Sequence, residues 1–337
     1  MMVGEYAHRE LRDGCDVIET VASNTDAIER VADPLLAADR VTFLGCGSSY
    51  WSGVVGRALL RDADVTAHVE YAPEFLYGSP PIAETDVAVG LSQSGETTET
   101  IRALETAADN GATTVAMTNT AGSTLAEIAE HTVVTPAGEE RAVMATKSVD
   151  AIVTTLYLLA DRIGGPAWRT ALTAATDSVG AVIESDVSEV VPTLTDAERA
   201  YTLGTGAAYG LAGEAATKLG EAMLLHTTPL PTLEINHGPI ANVADDVVIW
   251  YALDNAGTAV PDHVLDALED AGARTVVVHP HGTTYDATAT IELPESAATI
   301  LPALKLTQRL AYAGAMELGY DPDNPPQLSK HVEIEGI

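Results

Sequence analysis

The chain is written twice. The stretch RVTFLGCGSSY from Arg40 returns as RAYTLGTGAAY from Arg199, 159 residues later, with Arg, Leu, both glycines and Tyr in matching places. DVAVGLSQSG from Asp86 returns as DVVIWYALDN from Asp246, and GATTV from Gly111 returns as GARTV from Gly272. A near-constant offset of this kind marks two copies of one folding unit, each about 120 to 140 residues and of ordinary domain size. In the first copy, β-branched runs (RVTFLG, DVAVGL, TTVAMT, HTVVTP) alternate with Ala-rich stretches of helical length. That alternation is the pattern of βα units around a parallel sheet, so the expected class is α/β, with two tandem doubly wound domains.

The expected boundaries are a helical lead-in over 1–35, a first domain over 36–184, a linker over 185–198 around Pro192, a second domain over 199–320 and an extended tail over 321–337. The tail expectation rests on the three prolines of GYDPDNPPQLSKHVEIEGI, which follow a long Ala/Leu helix.

Charge narrows the function classes. Against 49 acidic residues stand 17 basic ones, and the lysines number four: Lys147, Lys218, Lys305 and Lys330. A surface of net charge −32 repels nucleic acid and anionic membranes, so neither is an expected partner. The acidity runs through every segment of a chain that is 46% hydrophobic, which fits a folded protein with a strongly hydrated surface, as in high-salt cytoplasm. Most of its Asp and Glu are therefore solvating groups. Cys15 and Cys46 form neither a disulfide framework nor a metal-spaced cluster, and no metal or cofactor is expected. The opening MMVGEYAHRELRDG lacks the apolar core of a secretory signal and no run is long enough to span a bilayer; the expected location is cytoplasmic.

Differences between the copies separate what the fold needs from what one copy needs. Ser48 and Ser49 of the first copy face Ala207 and Ala208 of the second, and Ser92, Gln93 and Ser94 face Ala252, Leu253 and Asp254. Loops at the C-terminal ends of parallel strands line the ligand crevice, and the helices after them offer unpaired N–H groups and a positive dipole end. Hydroxyls, the Gln93 amide and Thr97 add neutral donors, which makes an anion site that needs no basic side chain. Ser92 and Ser94 also suit simple helix capping. A dinucleotide site is the weaker alternative, because Tyr50 stands where the third glycine of that fingerprint belongs.

In the second copy Glu214, Lys218 and Glu221 fall at i, i+4 and i+7 of one helical face, a spacing shared by an exposed ion-pair stripe. His237 precedes Gly238-Pro239, a loop sequence, and also suits a half-buried structural histidine.

Through GCGSSY, LSQSGET, ATKS, TKLGEA, INHGP and DNPPQLSKHVEIE, from about Val41 to the C-terminus, the chain resembles the sugar isomerase (SIS) family. Within that family it is most similar to the isomerase half of the glutamine:fructose-6-phosphate aminotransferases, and it also looks like the aminosugar-phosphate deaminases and fructosamine-phosphate deglycases. The resemblance implies two SIS-type, flavodoxin-like domains and a sugar-phosphate cradle formed by Gly47, Ser48, Ser49, Ser92, Gln93, Ser94 and Thr97, bordered by the loop of Ala145. It implies that Glu221 moves a proton between C1 and C2 of the open-chain sugar, with Lys218 and Glu214 beside it. His237 is implied in ring opening within a neighbouring subunit of a homodimer, and Lys330 in imine formation with the ketose carbonyl.

The implied reaction interconverts glucosamine 6-phosphate with fructose 6-phosphate and ammonia; deglycation of a fructosamine phosphate and non-catalytic sugar-phosphate sensing are the alternatives. Three of the four lysines occupy these motifs, as expected where a chain poor in lysine keeps an amine for chemistry. Two residues depart from the pattern. Ala145 replaces a common serine, and Gly220 interrupts the helix before Glu221, where close packing or ligand approach is expected. No glutaminase segment precedes the repeats, so ammonia release from glutamine is not expected of these residues.

Overall fold

The computed structural model describes residues 2–78, 81–165, 167–253 and 263–330. The lead-in expected as one helix is three: α1 (Glu5–Arg12), α2 (Gly14–Ser23) and α3 (Thr25–Ala37). Asp13-Gly14 and Asn24 interrupt the apolar period, and residues of these types favour turns and caps over helix interiors.

One compact unit comprises Asp16–Glu140 and Lys147–Leu172 with residues 329 and 330. Its chain runs β1 (Arg40–Gly45), α4 (Gly47–Asp62), β2 (Ala67–Tyr71), α5 (Ala72–Gly78), β3 (Asp86–Leu91), α6 (Thr98–Asp109), β4 (Thr113–Thr118), α7 (Thr124–Ile128), β5 (His131–Val134) and α8 (Lys147–Gly164). All strands are parallel, in the order β2-β1-β3-β4-β5. Helices cover both faces, so β3 is buried at every residue, as parallel sheets require. Leu44, Phe75, Leu104 and Leu125 pack one of those faces.

The other unit comprises residues 2–15, 141–146 and 173–328. After α9 (Ala167–Glu184) and α10 (Val191–Thr195) it runs β6 (Arg199–Gly204), α11 (Ala207–Met223), β7 (His226–Pro231), β8 (Val247–Tyr251), α12 (His263–Asp270), β9 (Arg274–His279), β10 (Ala289–Glu292) and α13 (Ile300–Leu318). Its parallel strands follow the order β10-β9-β8-β6-β7, which counted from β6 is the order of the first sheet again. Leu203, Trp250, Val264 and Val277 anchor its core.

The two units do not divide at the expected linker 185–198. The C-terminal half of α9 groups with the second sheet, because Ser178 Oγ donates to the Glu295 carbonyl at 2.8 Å and the Arg309 guanidinium donates to the carbonyls of Ile183 and Ser185. The expected tail is described to Lys330, and 331–337 lie outside the described residues. Among the described residues no helix is long and apolar enough to cross a membrane.

In each sheet the strand order reverses beside the first strand, between β1 and β3 and between β6 and β8. Ligands of open α/β sheets bind at the carboxyl ends of strands at such a switch point. In the first unit that places the β1–α4 and β3–α6 loops at the crevice, and these are the serine loops.

Candidate active site

The glycine before each first helix is a requirement of the fold. A Cβ on Gly45 would lie 3.1 Å from the Ser49 carbonyl carbon and the Tyr50 nitrogen, and one on Gly204 would lie 2.1 Å from the Ala208 oxygen. Both copies keep this close approach of helix to strand, so the approach alone does not call for the serines that only the first copy carries. Gly47 opens α4 with φ +52°, and Ser48 and Ser49 follow, half-buried, in its first turn. The N-cap of α4 is Cys46, which offers no side-chain cap, and the Cys46 carbonyl accepts from the Ser49 N–H at 3.1 Å.

The second loop is organised by its own hydroxyls. Ser92 Oγ, buried, accepts from the Gly95 N–H at 3.1 Å and lies 2.9 Å from Thr97 Oγ1. Ser94 Oγ accepts from the Glu96 N–H at 3.1 Å. The Gln93 carbonyl accepts from the Asn119 N–H at 3.0 Å and the Thr118 hydroxyl at 3.2 Å, while Gln93 itself stays half-buried. The capping alternative is corrected by this geometry. Thr97, not Ser92 or Ser94, is the N-cap of α6, and its side chain makes no capping hydrogen bond. The serines shape the turn that leads into α6. Burial, with the negative charge of Glu99 second, pushes the Cys46 thiol up to about 11, so it remains a neutral neighbour of this turn.

Lys330 belongs to the same unit. Its Nζ stands 2.9 Å from Glu140 Oε2, with the lysine side chain 18% exposed and the glutamate fully buried. Ser148, at the start of α8, donates to Glu140 from its N–H at 3.1 Å and its hydroxyl at 2.6 Å. Burial works to raise the Glu140 carboxyl, yet the Lys330 ammonium and the Ser148 hydrogen bonds outweigh it and hold the group below its ordinary range. Lys147 is buried at the N-terminus of α8, and Ala145 sits half-buried in the loop before it. The sequence did not single out Glu140 or Ser148. Glu140 is one of 49 acidic residues, and only the fold shows that it is buried against an amine.

In the other unit, α11 brings Glu214, Lys218 and Glu221 together. Lys218 Nζ lies 2.8 Å from Glu221 Oε2 and 3.5 Å from Glu214 Oε1. Lys218 and Glu214 are buried, whereas the Glu221 side chain is 25% exposed. An exposed stripe of ion pairs is thereby excluded. Two carboxylates share one desolvated ammonium, and the outer carboxylate is partly exposed. Nearby, Tyr251 donates or accepts at 2.7 Å with Thr307, and burial pushes its phenol far up. Gly220 does not serve close packing, because a Cβ there would meet nothing nearer than the Leu225 oxygen at 3.9 Å. His237 is exposed, at the C-cap of a short 3₁₀ turn Thr232–Asn236, which excludes the half-buried structural histidine.

Comparison with known proteins gives a consistent result. Residues 35–162 match the SIS domain family. A glutamine–fructose-6-phosphate aminotransferase (isomerizing) of Pyrobaculum aerophilum is 34% identical over 98% of this chain and 58% of its own length. This chain thus spans a little over half the length of that curated relative. Among solved structures, the C-terminal domain of glucosamine-fructose-6-phosphate aminotransferase from Francisella tularensis superposes with TM-score 0.86 at 21% identity, covering 95% of this chain and 98% of that one. The glucosamine-6-phosphate deaminase of Thermotoga maritima gives 0.78 at 24% identity, covering 97% and 99%.

Proposed function

We propose, starting from the fact that the chain belongs to the SIS domain family, that it interconverts glucosamine 6-phosphate and fructose 6-phosphate with release or uptake of free ammonia. The phosphate dianion sits on the N–H groups and hydroxyls of Gly47–Ser49 and Ser92–Thr97, which fixes C1 and C2 of the open-chain sugar for reaction. Glu221 takes the proton from C2 of the aldose and returns it to C1, acting first as base and then as acid. The C2 imine so formed is hydrolysed by water, leaving the ketone and ammonia. Lys330 can take the place of ammonia on C2: its amine displaces ammonia to form a C=N bond, and water then releases it. His237, exposed on its turn, assists ring opening in a neighbouring copy of the chain.

The observation that carries this reading is the α11 cluster: a buried lysine 2.8 Å from a partly exposed carboxylate. A sugar-phosphate sensor needs the cradle and has no use for such a proton shuttle. The name of the Pyrobaculum relative, a fructose-6-phosphate aminotransferase, supports fructose 6-phosphate as one side of the reaction. The net charge of −32 supports molar salt as the working medium. The test incubates the protein in molar salt with glucosamine, galactosamine and fructosamine 6-phosphates and measures ammonia, amine and ketose. Ammonia from glucosamine 6-phosphate is the expected result. Amino-acid release from a fructosamine phosphate would make the protein a deglycase instead, and binding without turnover would make it a sensor.

A further inference from the structure

Three segments far apart in sequence meet in one hydrogen-bonded knot. Glu10 of α1 is buried, and its two carboxylate oxygens accept from consecutive backbone N–H groups, Oε1 from Arg141 at 2.6 Å and Oε2 from Ala142 at 3.1 Å. The next two N–H groups of that loop, Val143 and Met144, each donate at 3.2 Å to the carbonyls of Asp323 and Pro322. The Asp323 carboxylate, also buried, closes the circle by accepting from Tyr6 N–H at 3.0 Å and Ala7 N–H at 2.7 Å in the first turn of α1. Asp321 adds an acceptor for the Gly4 N–H at 3.1 Å. Four successive N–H groups of one loop and the N-terminus of a helix are thus satisfied by two carboxylates and two carbonyls.

The knot has a consequence for the amine chemistry. Arg141 directly follows Glu140, and Asp323 precedes Lys330 by seven residues. Both chains that leave the knot therefore lead to the Glu140–Lys330 pair, one of them at once. We infer that Glu10 and Asp323 are positioning residues for Lys330, which act through the 141–144 loop and the 321–323 turn to hold the segments that carry the ion pair. The inference rests on the proposed role of Lys330 only for its catalytic meaning, since the positioning itself is a property of the fold. A glutamine at 10 retains one acceptor oxygen where two N–H groups each use their own, and an alanine retains none. The effect is therefore graded from Glu through Gln to Ala.

The chain's four lysines supply the assay. Reductive methylation of the full-length protein in molar salt, read peptide by peptide by mass spectrometry, follows Lys330 against the buried Lys218 as an internal folding control. In Glu10→Ala and Asp323→Asn, Lys330 is expected to react about tenfold faster than in wild type while Lys218 stays protected, with Glu10→Gln between. An unchanged Lys330 rate in all three variants overturns the inference. Should Glu10→Ala expose every lysine by unfolding, the milder Glu10→Gln and Asp323→Asn variants decide it by the same criterion. Borohydride trapping of Lys330 with fructose 6-phosphate is run in parallel: its absence in wild type refutes the imine role, while the labelling rates still decide the positioning.

Discussion

Substitution of Gly95 by alanine tests how the serine loop between β3 and α6, the proposed phosphate site, is built. Gly95 has φ +70°, and a Cβ there would lie 2.0 Å from Ser123 Oγ, 2.4 Å from Ser123 Cβ and 2.9 Å from Thr118 Oγ1. Ser123 and Thr118 are both buried, and Ser123 is the N-cap of α7, accepting from the Ala126 N–H at 3.4 Å. The left-handed conformation costs a residue with a Cβ about 1–2 kcal/mol. Forcing a methyl into a filled site costs about 1–3 kcal/mol, and displacing the Ser123 cap about 0.5–2 kcal/mol. The sum, about 2.5–7 kcal/mol, is expected as the loss in urea-unfolding free energy in molar salt. Ser123→Gly alone is expected to cost only a few tenths of a kcal/mol as a cap change, yet in the Gly95→Ala background it should restore about 1–3 kcal/mol. The Ser92–Gly95 hydrogen bond is lost in the displaced loop, so sugar-phosphate affinity measured by calorimetry falls by about tenfold or more. Stability within about 1 kcal/mol of wild type, or no recovery on adding Ser123→Gly, would refute the account of this turn.

Three further outcomes follow from other parts of the molecule. Lys218→Met keeps the aliphatic stem but strands the buried Glu214, so a loss of about 3–5 kcal/mol is expected, of which adding Glu214→Gln returns more than half; a change below about 1 kcal/mol would count against a shared buried charge. The Glu140 carboxyl is lowered from the ordinary 4.5, so the folded chain binds fewer protons than the unfolded chain below that value. Its stabilising effect is complete above 4.5 and fades as pH falls through the lowered value; the gap between wild type and Glu140→Gln should therefore shrink only in that acid range. With its thiol near 11, Cys46 should alkylate at pH 8 roughly a hundredfold more slowly than an exposed cysteine, and equal rates would contradict its burial.

The sheet architecture was legible because strand runs and glycine turns recur in both copies, and Gly45 and Gly204 are demanded by the same close approach. The two serine loops are legible as the positions where the copies diverge. Less could be read on α11: a spacing of i, i+4 and i+7 fits an exposed stripe and a buried cluster equally, and only packing against its neighbours distinguishes them. Glu10, Glu140 and Asp323 were illegible for a different reason. In a chain with 49 carboxylates the few that bind backbone N–H groups or a lysine look like the many that bind water, because both uses need the same residue type. The lead-in reads as one helix from its spaced apolar residues, but Asp13-Gly14 and Asn24 interrupt that period and local turn chemistry divides it into three.

Proton transfer by Glu221 on a sugar held without a basic side chain in the cradle is the central claim, and isotope exchange tests it most directly. Fructose 6-phosphate is incubated in heavy water and molar salt with wild type and with Glu221→Gln, and deuterium at C1 is followed by NMR while sugar-phosphate affinity is measured in parallel. Wild type is expected to wash in deuterium, and Glu221→Gln to do so about a hundredfold more slowly at unchanged affinity. Equal exchange by the two proteins would show that another group moves the proton.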